Sequence, residues 1–528
     1  VGALLAVIVL AVVGEVMVHR ANPILKGRVI ETLSTRFNSK VELDGFDVSL
    51  IKGLEVSGDG LRIFAPDDVV AKGATTPLIA IRHFEFHTGL RGLFLKPMHV
   101  GTVNVSGMVV TIPPREWRSQ GPPSTKHKGK MKIVVDEIVC DNSRLVIGTL
   151  KPGKDPKDFE LRHIVMHGVG PYKPWRYDAT IINAIPKGDV HAVGTFGPWN
   201  TESSGDSTVT GHYTFDHADL NPIKGIGGIL SSTGKFEGQL DKIVVDGETQ
   251  TPDFSLDTAN HPVPLETKFH AIVDGTTGDT YLQPVQARLG ESDMTASGAI
   301  VNIKGKGHVI DLDVVVPDGR IQDMLELGVK TQPVIMTGRI GMKVKLHISP
   351  GKESVSKKLE LKGGFTLRQI HFTNPQWQDK VDMLSLRAQG DPEAAKPGAT
   401  DVRSKMVGDF SMAAGRLDFS RLRYDLPGAE VRLMGVYSLN GDQFDFHGNV
   451  ETQAKLSQMV ASKWKSLLLK AVDPFFTKNG KGTQVPVVIH GTKDAPKFGV
   501  DFKHFGGTEK DGSHGKSDLE RVPKKGEN

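Results

Sequence analysis

The residues best placed to do chemistry are His83, Glu85 and His87, in the run His83-Phe-Glu-Phe-His87. In an extended strand, alternate side chains share a face and lie about 7 Å apart. Two imidazoles and a carboxylate on one face form a set that zinc accepts. The same run also suits the wet face of a strand whose other face carries Phe84 and Phe86. That reading is adopted, and no metal is expected. His163 and His167 repeat the spacing and are read in the same way. Ile223-Lys-Gly-Ile-Gly-Gly228 is read as a turn and not as a phosphate cradle. No Gly-x-Ser-x-Gly elbow, Walker loop or strand-linked dinucleotide fingerprint occurs. Acidic residues are scattered over turns and polar faces, and no pair stands out as acid and base. Five Trp and six Tyr are too few for a sugar-binding surface. The expectation is a protein that is not an enzyme and that carries no cofactor.

Bulk composition narrows the class further. In 528 residues, 65 basic side chains nearly balance 61 acidic ones. Nucleic-acid binding, which calls for a strongly basic domain, is therefore not expected. The single cysteine, Cys140, has no partner within the chain for a disulfide, so an oxidising compartment is neither required nor excluded.

The elements that position these residues are mostly strands. Ile340, Met342, Val344, Leu346 and Ile348 alternate with Lys343, Lys345 and His347, which gives one oily and one wet face. Val41–Leu50 and Leu54–Phe64 predict a hairpin around Lys52-Gly53. Ile79 and Ile81 are out of phase with Phe84 and Phe86, which predicts a bulge near Arg82-His83. Similar alternating units recur at 54–63, 103–107 and 134–141 and suggest a quasi-repetitive meander.

Departures from this pattern set the expected boundaries. Residues 1–20 read as the distal part of a transmembrane anchor whose first residues precede Val1; a cleavable signal peptide is the rival. Residues 21–112 hold an amphipathic helix, with Leu25, Val29, Leu33 and Phe37 four apart, and the first strands. That helix either packs on the strands or caps one end of a sheet. Residues 113–130 are polar and Pro-rich and read as a mobile loop. Residues 131–503 form the β body, with a short helical signal at 320–327 and a longer one at 454–472 that Pro474 ends. The latter helix could pack on the sheet, plug a groove or lie on a membrane. Residues 504–528 are charged and read as disordered.

Several segments taken in order resemble the bacterial AsmA-like family, inner-membrane-anchored periplasmic relatives of bridge-like lipid transfer proteins. They include Pro186-Lys-Gly-Asp-Val-His-Ala-Val-Gly194-Thr-Phe-Gly-Pro-Trp199, Gly234-Lys-Phe-Glu-Gly238, Val273-Asp-Gly275 and Val488-Ile-His-Gly491-Thr-Lys-Asp-Ala-Pro496-Lys-Phe498. The resemblance covers roughly residues 1–503. It implies a mainly β fold: an elongated, curved antiparallel sheet folded into an open, β-taco-like groove. It also implies inner-membrane localisation by a single pass, with the bulk in the periplasm. Its implied partners are the membrane, phospholipids and other envelope proteins.

On that reading the acyl-chain lining comes from Leu54, Val56, Val103, Val105, Leu312, Val314, Val344, Leu346, Leu422 and Tyr424. Each of these also suits the closed core of a β-sandwich. The expected function is support of lipid transport from the inner to the outer membrane. The alternative is a non-transporting assembly or scaffold factor for the envelope.

Overall fold

Alternation in the sequence becomes strands in the computed structural model, and the chain is mainly β. The structure describes residues 22–500, except 50–53, 90–97, 115–132, 149–155, 199–203, 304–305, 439–442, 463–469, 471–481, 493–494 and some single positions. The expected anchor and tail therefore lie outside the described residues, as do most of the 113–130 loop and residues 463–469 and 471–472 of the expected 454–472 helix. Within the described set, no helix is long and apolar enough to cross a membrane. The chain divides into two units. The first holds residues up to Leu367 plus Met412–Ala414, and the second holds the remainder.

The first unit opens with α1 at 22–35, followed by β1 (Val41–Glu42), β2 (Gly45–Ser49) and β3 (Leu54–Ile63). After the short α2 (Asp67–Val70) come β4 (Ile79–Thr88), β5 (Met98–Ile112), β6 (Ile133–Ile147), β7 (Lys157–Val169), β8 (Trp175–Asn183), β9 (Lys187–Phe196) and β10 (Thr208–Asp219). Two-residue strands β11 (Ile226–Gly227) and β14 (Ser255–Leu256) pair with each other, and they flank β12 (Ile229–Gln239) and β13 (Lys242–Thr251). The run ends with β15 (Leu265–Val273), β16 (Thr280–Leu289), β17 (Ser292–Ile303), β18 (Gly307–Arg320), α3 (Ile321–Gly328) and β19 (Met336–Ile348).

From β3 to β19, apart from the small β11/β14 pair, each strand lies beside the next one in sequence. All of these pairings are antiparallel but one. The exception corrects the wholly antiparallel expectation: β5 and β6 run parallel, with Met98 opposite Ile133 and Ile112 opposite Ile147. Each of these strands spans about 50 Å. The roughly twenty residues between them reach about 66 Å when extended, enough to return the chain to the starting end. The alternation period is the same for either direction, so the sequence carried no warning.

α1 stands on the first strands because its apolar stripe matches theirs. Val29, Ile30 and Leu33 pack on the buried cluster Val41, Leu43, Leu61 and Ile63. Leu25 and Phe37, which belong to the same sequence stripe, stay exposed. Polar anchors fix the helix: Lys26 Nζ donates to the Asp44 carbonyl at 2.8 Å, and Asn22 Nδ2 to Asp47 Oδ1 at 2.6 Å.

The expected bulge near Arg82-His83 is absent. Register runs unshifted through Asp59–His83 and Leu61–Ile81. Instead Gly60, Gly107 and Asn142 take positive φ (64°, 64° and 47°) on one line across β3, β5 and β6. Left-handed backbone re-aims the side chains on either side of that line without an inserted residue. At Gly107 a Cβ would meet only the flexible Arg82 guanidinium, which can move aside, so it is the positive φ that calls for glycine.

After α4 (Val355–Lys358), β20 (Leu359–Phe372) begins in the first unit and ends in the second, where α5 (Pro375–Ala388) follows. Asn374 caps α5, its side chain accepting from the Gln376 and Trp377 amides. Val381 and Leu384 of α5 pack on Ala388, Val402, Leu426 and Ala429. The buried Asp382 carboxylate accepts from Gln378 Nε2 at 2.8 Å and the Val402 amide at 2.9 Å. After β21 (Ser404–Ala413), the strands β22 (Arg416–Leu426), β23 (Ala429–Ser438), β24 (Gln443–Thr452), β25 (Thr483–Thr492) and β26 (Ala495–Val500) form antiparallel neighbours. Over 454–462 the expected helix is not formed: the chain makes only a 3₁₀ turn at Leu456–Gln458, so the apolar stripe there does not start an α-helix.

Candidate functional site

Strand register in the first unit assembles one continuous apolar row. It starts at Val56 and passes through Phe86, Val103, Ile138, Met166 and Tyr177. It crosses Gly194 and Gly211 to Phe236, Val245 and Ala271. It continues through Leu282, Gly298 and Leu312 to Leu346. Directly paired residues share a face, so these fifteen positions lie on one side of the sheet. None is polar beyond the Tyr177 hydroxyl. Fourteen steps of about 4.8 Å make a path of about 67 Å along the sheet.

A second apolar row runs beside the first. It links Gly58, Phe84, Val105, Cys140, Ile164, Ala179, Ala192, Tyr213, Gly234, Gly247 and Phe269. The sequence Tyr, Gly, Gly, Phe thus occurs across neighbouring strands twice, at Tyr177–Gly194–Gly211–Phe236 and at Tyr213–Gly234–Gly247–Phe269. In both, the rings lie over the glycines. A Cβ on Gly211 would sit 2.7 Å from Tyr177 Oη and 2.8 Å from Phe236 Cζ. One on Gly247 would sit 2.7 Å from Phe269 Cζ and 2.8 Å from Tyr213 Oη. Tyr177 Oη donates to the Thr210 carbonyl at 3.3 Å, and Tyr213 Oη meets Ser232 Oγ at 3.1 Å. Burial pushes the Tyr177 phenol up to about 12.

The face is partly exposed along most of its length. Of the fifteen residues in the first row, only Val56, Gly211 and Ala271 are buried, and the other twelve are half-buried. Fully buried apolar residues occur elsewhere, such as Val316 and Val263 in this unit and Ile370 in the second.

Eight of the ten predicted lining residues lie on this face. Val56, Val103, Leu312 and Leu346 are in the first row and Val105 in the second. Leu54 is two residues from Val56, and Val314 pairs with Val344 beside Leu312–Leu346. Leu422 and Tyr424 belong to the second unit, opposite Leu433 and Val431. Tyr424 packs, as do Val381 and Leu384 of α5, on the buried cluster Ala388, Val402, Leu426 and Ala429, and burial raises its phenol pKa. Sequence reading missed the aromatic members Phe86, Tyr177, Phe236 and Phe269. Their alternation was visible, but the glycines opposite them acquire meaning only through register.

The other side of the sheet is mostly polar, with apolar pairs such as Val139–Val165 and Val244–Ile272 among its charged and hydroxyl side chains. One residue along from the second row, register links Asp59, His83, Ser106, Asp141, His163, Thr180, His191 and Thr214. It goes on through Thr233, Glu248, Lys268, Gln286, Thr295, Val315 and Lys343. Histidines here pair with carboxylates: His83 with Asp59 at 2.8 Å, His163 with Asp141 at 2.5 Å, His270 with Asp246 at 2.8 Å and His347 with Asp311 at 2.6 Å. His167 meets Glu137 at 3.4 Å. The His83/Glu85/His87 set does not converge as a unit, because His83 turns to Asp59. Glu85 and His87 are instead joined by Glu55 from the neighbouring strand.

No protein-family model, characterised protein or solved structure matches the chain, so function has to be argued from these two faces.

Proposed function

We propose that the apolar face is the floor of an open groove that holds phospholipid acyl chains, and that the protein is an AsmA-like factor supporting lipid transport from the inner to the outer membrane. The observation that carries this reading is the unbroken, half-buried row from Val56 to Leu346. A closed core would bury such residues, whereas a floor awaiting a ligand leaves them half-covered. A lipid with about thirty methylene groups loses about 25 kcal/mol if it is fully exposed to water, at about 0.8 kcal/mol each. A continuous track avoids that cost, while headgroups stay in solvent. Tethering by residues 1–20 would leave the bulk of the chain in the periplasm, within reach of other envelope proteins.

The test uses a photoreactive residue at Leu346 and at Lys345, which are adjacent in sequence and on opposite faces. Leu346 pairs with Leu312, while Lys345 faces Asp313, with Nζ 3.7 Å from its carboxylate. Crosslinking in cells followed by mass spectrometry should yield phospholipid adducts at Leu346 at least tenfold above Lys345. Equal labelling, or no lipid at either, overturns the proposal.

A further inference from the structure

The polar face holds one group of side chains unlike the rest. Most of its histidines meet a single carboxylate. His87 meets two: Glu55 Oε2 lies 3.1 Å from Nε2, and Glu85 Oε1 lies 3.5 Å from Nδ1. Among the described residues this is the only group of three His, Cys, Asp or Glu side chains whose ligand atoms all lie within 4.8 Å of one another. The arrangement follows from register. Glu55 of β3 is directly opposite His87 of β4, and Glu85 precedes His87 by two residues on the same face. All three are half-buried, with side chains 30% to 45% exposed, so the group is neither sealed nor fully solvated.

We propose that Glu55, Glu85 and His87 form a zinc site that staples β3 to β4 on the side of the sheet opposite Val56 and Phe86. Tetrahedral zinc at 2.0–2.1 Å from nitrogen and oxygen ligands separates those ligands by about 3.4 Å. The Glu55–His87 edge is already near that value. The Glu85 contact is long for a hydrogen bond, so that carboxylate is free to swing from Nδ1 towards the ion. Two carboxylates and one neutral imidazole leave a double negative charge that a divalent cation cancels. Imidazole with carboxylate suits zinc better than calcium or magnesium, which prefer all-oxygen shells. Water would complete the shell, as expected at a half-exposed site. The site does not depend on lipid binding, since it lies on the other face.

Titration of the full-length, metal-stripped protein with zinc alone, against a competing zinc chromophore at pH 7.5, tests the site. The wild type should bind one ion with a Kd below about 100 μM. His87→Ala and Glu55→Gln should each weaken that binding at least tenfold, as should Glu85→Gln. His83→Ala, a neighbouring histidine on the same face, should leave it unchanged. X-ray absorption of the loaded protein should show a nitrogen/oxygen shell. No binding in that range, or the same loss in His83→Ala as in His87→Ala, overturns the proposal. Unchanged circular dichroism of each variant in chelator separates loss of the site from loss of the fold.

Discussion

Two rows cross the first unit on opposite faces, three residues apart in every strand but β16, where a register shift makes it four. The row from Val56 to Leu346 is apolar but for the Tyr177 hydroxyl, and twelve of its fifteen residues are half-buried. The row from Asp59 to Lys343 contains one apolar residue, Val315. Six glycines occupy the two apolar rows and none the polar one. Cross-strand ion pairs on the exposed face are worth about 0–1 kcal/mol each. The polar face can therefore solubilise the sheet without doing much to hold it together. On the apolar face the glycines let backbones approach and aromatic rings lie flat, which keeps the floor low where standing side chains would fill it. The two faces thus teach different lessons about the same strands: one is built for contact with water, and the other is built to be covered.

Substitutions at adjacent residues break this comparison most sharply. A Cβ on Gly194 would lie 1.9 Å from the Thr210 carbonyl oxygen and 2.7 Å from Gly211 Cα, both backbone atoms that cannot yield cheaply. Gly194→Val should therefore cost at least about 4 kcal/mol or prevent folding. Thr195, next in the same strand, faces the other way and shares a hydrogen bond with Thr210 Oγ1 at 2.8 Å. Thr195→Val should cost no more than about 1 kcal/mol. Thermal and chemical unfolding of the two variants measures the contrast. Equal losses would mean that the faces are structurally interchangeable.

The alternation that separates Leu346 from Lys345 was legible in the sequence, because a period of two reports the faces of a strand directly. So were the helical stripe of Val29 and Leu33 and the short helix at Ile321–Gly328. Strand direction at β5–β6 was not, since it depends on the reach of a connection and not on local pattern. α5 was overlooked although its signals were present: Asn374 as cap, Pro375 in the first turn, and Val381, Leu384 and Ala388 at helical spacing. The phase change near Arg82 was visible, but its cause was not, because positive φ at Gly107 and Asn142 acts across strands. The ligand group was half legible. Glu85 and His87 stood out by spacing, whereas Glu55 lies 30 residues earlier in the chain and joins them only through register.

A smaller effect should follow from Tyr177 on the apolar face. Its neutral phenol is favoured in the folded state, with the pKa raised to about 12 by burial, against about 10 in an unfolded chain. Its contribution to stability is complete below pH 10 and is lost as pH rises through about 12. Melting temperatures of the wild type should therefore fall more steeply between pH 9.5 and 12 than those of Tyr177→Phe. Identical slopes would mean that the ring is solvated like a surface tyrosine, and the floor would not be apolar at that point.

The smallest effect is expected on the polar face at Asp246. Its carboxyl pKa is lowered chiefly by the hydrogen bond with His270, with further help from the charges of His270 and Lys235. A depressed value means that the pairing stabilises the fold above the unfolded carboxylate range and is lost as pH falls through the folded value. Asp246→Asn should shift the melting temperature only slightly at pH 7, and that difference should shrink as pH falls below the unfolded carboxylate range. Because the pair is solvent-screened, raising the salt concentration at pH 7 should also erase it. A large loss at pH 7 that survives salt would show that cross-strand charge pairs hold the sheet as firmly as the glycine contacts do. The distinction between a face that solubilises and a face that is built to be covered would then fail.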